Sequence, residues 1–184
     1  MDQANFLKSI LSLFRYYKSL GDKSIAQLSD EQLHHEPPGS NSMAIIMKHL
    51  SGNMLSRWTD FLTSDGEKTW RNREQEFEDS FNNREELMAY WEKGWSCLFE
   101  ALEGLKPNDL NRIIYIRNEG HTVVEAIHRQ LAHYASHVGQ LVYLAKMLKK
   151  DDWQSLSIPK GQSQSFNTEK FQKEKAQRHF TDNH

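Results

Sequence analysis

The stretch "VVEAIHRQLAHYASHVGQLVYLAKML", residues 123–148, decides the reading of the fold. Apolar and small residues recur along it every three or four positions, which predicts one long amphipathic helix. Thr122 in front of it and Glu125 three residues on form a capping box. One line along this helix runs through Ala126, Gln130, His133, His137, Gln140, Leu144 and Met147, the spacing of a seam between packed helices. The ends of that line are apolar and its four middle residues are polar. An imidazole taken out of water without a partner costs about 1–3 kcal/mol, so something must satisfy His133 and His137.

Three more long helices follow from the rest of the chain. A period of three and four through Phe6, Ile10, Leu13 and Tyr17 predicts a helix over residues 3–28, with Gly21 as the place for a kink. Met43, Met47, Leu50, Met54, Trp58 and Phe61 predict a second over 43–63, capped by Asn41 or Ser42. Asn83 caps a third over 84–105, whose inner face is Leu87, Trp91, Leu98 and Leu102 and which Pro107 ends. Between the first two lies "SDEQLHHEPPGSNS", a connection long enough for a crossover. Residues 65–82 predict a long ordered loop anchored by Trp70, Phe77 and Phe81, with Arg71 and Arg73 pinned to neighbouring acids. "NRIIYIRNEGHT" is a short hairpin or an extended connector. After residue 148 the helical period stops. The expected fold is all-α: a four-helix bundle with a long crossover connection and an ordered C-terminal tail. A single domain is expected over 1–167, followed by a charged, flexible segment over 168–184.

Composition narrows the function classes. A net charge of −2 with both signs interspersed gives no basic field for nucleic acid. No apolar run approaches the ~18 residues of a membrane span. The amphipathic N-terminus reads as part of the mature fold rather than a signal peptide. The one cysteine, Cys97, fits a reducing compartment and a cytoplasmic location, and reads as a small buried hydrophobe. There is no Ser-His-Asp arrangement, no dinucleotide glycine signature and no zinc-finger cysteine pattern, so the catalytic residues are unknown.

Two histidines four apart on a helix can converge on one metal ion, and a third ligand should come from another helix. His49, midway along the helix over 43–63, is the candidate. Three neutral imidazoles suit nickel, zinc, cobalt or iron(II) without choosing among them, and they leave coordination positions open. Gln140, one turn beyond His137, would orient a bound water or substrate or support a ligand. Asn53 and Arg57, one and two turns beyond His49, are the candidate substrate contacts, Arg57 for a carboxylate. The competing reading of the same residues is a buried polar network closed by side chains and water.

One histidine on the second long helix and "HxxxHxxQ" on the fourth resemble the DinB-like superfamily. "NSMAIIMKHLSGNMLSRWTDFLTSDGEKTWRNRE", "GHTVVEAIHRQLAHYASHVGQLVYLAKM" and "WQSLSIPKGQSQSFN" resemble a bacterial subfamily whose function is not established. The resemblance implies a divalent metal on His49, His133 and His137 at one end of a four-helix bundle. It also implies a metal-dependent thiol S-transferase, or a related hydrolase or isomerase, working with a low-molecular-weight thiol such as bacillithiol. The rival expectation is a non-catalytic, stress-related dimeric bundle that binds a metal or small molecule. The expected partner is a small molecule, and a homodimer is compatible with the sequence; neither nucleic acid nor membrane is expected.

Overall fold

The computed structural model describes residues 3–183. They form six α-helices and one two-stranded hairpin: α1 (Gln3–Ile25), α2 (Asp30–His34), α3 (Met43–Trp58), α4 (Arg84–Glu103), β1 (Ile113–Ile116), β2 (Glu119–Thr122), α5 (Val123–Lys149) and α6 (Ser163–Phe171). The four long helices α1, α3, α4 and α5 share one core. The closest packing joins α3 to α4 and α1 to α5, with α3 also on α5 and α1 on α4. The successive long helices α1 and α3 are therefore not principal partners, and the connection through α2 spans between them.

Local chemistry sets the helix starts. Ser42 Oγ accepts the Ile45 N–H at the head of α3, and Asn83 Oδ1 accepts the Glu86 N–H at the head of α4. At the head of α5, Thr122 and Glu125 exchange both bonds of the capping box. The expected helix over 3–28 stops at Ile25 instead. Ser29 and Gln32 form a capping box of their own there and start the short α2. The helix expected to reach Thr63 stops at Trp58, because Thr59 leaves helical geometry and Asp60 sits at φ 49°. Gly21 marks a close contact within the continuous α1 rather than a kink: a Cβ there would lie 2.9 Å from the Trp91 ring.

Residues 113–122 form the hairpin. Arg117 and Asn118 both adopt positive φ, the pattern of a two-residue primed turn. Asp65 accepts both of their N–H groups at 2.8 Å, and Gly66 donates its N–H to the Tyr115 carbonyl. Ile114 and Ile116 point into the core while Ile113 and Tyr115 face out, the alternation a strand imposes. Near the other end of the chain, α6 spans the domain boundary expected at residue 167. His179 Nε2 lies 3.2 Å from Ser9 Oγ on α1, and the Phe180 ring meets Tyr16 edge-on. No helix among the described residues is long and apolar enough to cross a membrane.

Candidate metal centre

The buried face of α5 is Val123, Ala126, Ile127, Gln130, Tyr134, Val138, Leu141, Leu144 and Ala145, which keeps Ala126, Gln130 and Leu144 of the expected seam. In its middle it is rotated by about one residue from the seam read in the sequence. The aromatic body of Tyr134 takes the inner position. Its hydroxyl donates to Asn53 Oδ1 at 3.0 Å and accepts from Trp58 Nε1 at 3.1 Å. His133 and His137 are thereby turned to the rim of the core, half-buried, and Gln140 is exposed. On α3, His49 is buried and faces them.

The three rings form a cluster. Centroid separations are 5.5 Å for His49–His133, 5.0 Å for His49–His137 and 4.7 Å for His133–His137. One ring nitrogen from each can be chosen so that all three lie within 4.8 Å of one another. Ligands ~2.0–2.1 Å from a common ion in a tetrahedron are roughly 3.3 Å apart, so small side-chain rotations suffice to reach ligating geometry.

Two of the rings have one nitrogen already committed. His49 Nδ1 lies 2.9 Å from Glu76 Oε2, and His137 Nδ1 donates to Gln140 Oε1 at 2.8 Å. These bonds leave Nε2 of both rings for a ligand. His133 has ring contacts only and no hydrogen-bond partner among the described residues. A network of side chains therefore does not close the cluster. One free nitrogen on each of His49 and His137, beside a His133 ring that no side chain engages among the described residues, gives three imidazole donors that fit a divalent ion.

Glu76 escaped the sequence reading as a site residue. It lies in the 3₁₀ turn Glu74–Phe77 within the long loop, at 5% exposure. Arg71 grips it with two bonds, Nε to Oε1 at 2.7 Å and Nη2 to Oε2 at 2.9 Å. Arg71 also reaches Glu67 at 3.2 Å, and Glu67 is shared with Arg57 and Arg117 at 3.1 Å each. This charge-alternating chain runs from the hairpin turn to the histidines. Phe77 stacks on the His49 ring at 4.9 Å, and the Arg73 guanidinium covers the other part of that phenyl. Lys48 pins the same loop through the carbonyls of Gln75 and Glu78 and the Ser80 hydroxyl. Gly52 makes room for the carboxylate, since a Cβ there would sit 2.5 Å from Glu76 Oε1.

Both candidate substrate contacts are engaged inside the protein. Arg57 donates to the Gly66 carbonyl and to Glu67, and Asn53 takes the Tyr134 hydroxyl. His34 pairs with Asp79, and His128 packs edge-on against Phe6, so neither joins the cluster.

The electrostatics disfavour the charged forms of His133 and His137. Burial, and then the positive neighbours His137, His49, Arg57 and Arg71, push His133 down to about 3. Burial also lowers His137, more than the Gln140 bond raises it. Burial alone would raise Glu76, but the bonds from His49 and Arg71 and the Arg71 charge outweigh it and hold the carboxyl below its usual range. A histidine whose folded pKa lies below its unfolded value stabilises fully above the unfolded pKa, and that contribution is lost as pH falls towards the folded one. The metal-free protein should therefore lose stability between about pH 6.5 and about 3 through His133. In a His133→Asn variant the urea midpoint should fall less steeply over that window. Parallel curves for the two proteins would show that the ring is not held neutral by the fold.

Residues 2–162 match the model of a family described as "protein of unknown function (DUF1572)". No curated protein matches the chain.

Proposed function

The chain belongs to the DUF1572 family, and from the site's chemistry and the resemblance of its histidine pattern to the DinB-like superfamily we propose that it is a divalent-metal-binding protein acting as a thiol S-transferase on a DinB-like four-helix bundle. His49, His133 and His137 would hold nickel, zinc, cobalt or iron(II), and the thiol would be a low-molecular-weight one such as bacillithiol. The observation that carries the metal reading is His133, half-buried, neutral and without a hydrogen-bond partner beside two rings whose other nitrogens are fixed. The transferase reading comes from the resemblance of the histidine pattern to the DinB-like superfamily, and three protein ligands with open positions are compatible with it.

When bound, such an ion supplies Lewis acidity that lowers the pKa of a thiol and makes thiolate available at neutral pH. The chain's own residues prepare the place. Glu76 fixes the orientation of His49, as an acceptor behind a ligating imidazole does. Gln140 does the same for His137 from the solvent side. Phe77 lies against His49 and keeps water from that flank, while the half-exposed His133 and His137 leave access on the other.

The test is metal analysis of protein purified without a metal column, beside a His133→Ala/His137→Ala variant. About one equivalent in the wild type and none in the variant is the expected result. No metal in either, and none taken up on titration, would sink the metal reading. Thiol addition to the cobalt(II)-loaded protein then tests the transferase reading through the sulfur-to-cobalt absorption band. Metal without that band would favour a non-catalytic binding protein.

A further inference from the structure

A groove of about 1030 Å³ adjoins the histidine cluster. It is at the upper end of the size range that holds drug-sized organic molecules. Gln140 belongs to both places: its Oε1 accepts from His137, and its side chain lines the groove. Ser136, next to His137, and Ile46, one helical turn before His49, line it too. The groove therefore runs away from the cluster along the α3–α5 boundary, with the Pro37–Pro38 connector as its far wall. Its floor is Ile46 and Leu144, both buried. Tyr143 and Met147 line it at 66% and 44% exposure, large apolar surface left in water beside a polar site.

The lining has a charge character. It contains no lysine, arginine or histidine, and Glu36 is its one charged side chain. An anionic group in the body of the groove, away from any ion on the histidines, would lose water and gain no cation. The Gln140 amide has its carbonyl committed to His137, which leaves its N–H groups for a ligand acceptor.

We propose that this groove is the binding site for an uncharged organic substrate with an aromatic or alkyl body, seated so that the body lies on Ile46, Leu144, Tyr143 and Met147 and its polar end meets Gln140 and the histidine cluster. As an assignment of the substrate class of that cluster, it rests on the functional reading above. The groove's own binding does not require the ion, which lets the two fail separately.

Gly139 supplies the variant. It lines the groove in mid-α5, and a Cβ there would meet nothing within 4 Å. A tryptophan at that position fills the groove without entering the core, and replacing a helical glycine does not weaken the helix. The probes are two fluorescent coumarins of similar shape, neutral 7-methoxy-4-methylcoumarin and anionic 7-methoxycoumarin-4-acetic acid. Both are titrated into the full chain as purified and after chelator treatment. In the chelator-treated protein, where no ion can ligate the carboxylate, the neutral probe should bind about tenfold more tightly than the acid. Gly139→Trp should weaken it by about tenfold or more, with a melting temperature no lower than the wild type's, while Gly139→Ala leaves it as in the wild type. In the chelator-treated protein the neutral probe should also shift the imidazole NMR signals of His137. No binding of the neutral probe, equal binding of the acid after chelator treatment, or indifference to Gly139→Trp would overturn the groove assignment. Binding without a His137 shift would overturn its link to the cluster. Neither outcome depends on the metal analysis, and a protein that binds the coumarin but no metal would cost only the metal reading.

Discussion

A Glu76→Ala variant is expected to lose about 3–5 kcal/mol of stability and, where it still folds, about 10–100-fold in metal affinity. The first effect comes from what alanine leaves behind. Arg71 has a side chain only 3% exposed, and two of its bonds end on this carboxylate. Its remaining partner, Glu67, is already shared with Arg57 and Arg117. A buried guanidinium stripped of its main counter-charge costs far more than the pair contributes when whole. The second effect runs through His49, whose Nδ1 loses the acceptor that fixes the ring. Glu76→Gln separates the two: it keeps the volume and a hydrogen-bonding group but removes the charge, so it should fall between alanine and wild type in both. Urea unfolding and competition with a metal-binding dye read them. A Glu76→Ala protein that unfolds at the wild-type midpoint would mean that Arg71 finds water or another acid, and the network would lose its structural role.

At Gly94 the expected loss is also large. A Cβ there would lie 2.8 Å from Ser51 Cα and 3.0 Å from its Cβ, so the obstacle is the backbone of α3. No rotamer change relieves a clash with backbone. Gly94→Val should therefore push α3 and α4 apart and destabilise by about 1–3 kcal/mol. The variant also reaches the site, because His49 sits two residues before Ser51 on the displaced helix while His133 and His137 stay on α5. Weaker metal binding should accompany the lower midpoint. A Gly94→Val protein with unchanged stability and metal affinity would show that the α3–α4 contact is looser than the structure has it.

The histidine set was legible because its chemistry is written in spacing: an i, i+4 pair on a helix with a strong cap, and one further histidine inside another helix. Its exact placement was less legible. On α3 nearly every residue is buried, with only Lys48 and Leu55 between the extremes, so a hydrophobic stripe cannot say which way His49 faces. On α5 a ladder of small and polar residues runs beside the true inner line, and only the docking of Tyr134 decides between them. Glu76 was legible only as one of the acids expected to pin Arg71 and Arg73, as it and Glu74 do. In "EQEFED" it stands among acids that water normally holds, and nothing local distinguishes the one that Arg71 and His49 draw inside. The ends of α1 and α3 were missed for a related reason, since the apolar period continues past the residues where a cap or a positive φ stops the helix.

The placement of the three rings on two helices from opposite halves of the chain also sets an order of events. His133 and His137 lie one turn apart on α5, whereas His49 joins them only through the packing of α3 against α5. An ion held by all three would need α3 and α5 docked and so would bind the native state. It therefore slows departure from the folded protein more than it speeds arrival. The lifetime of the chain against proteases would then follow the metal supply of the cell that makes it.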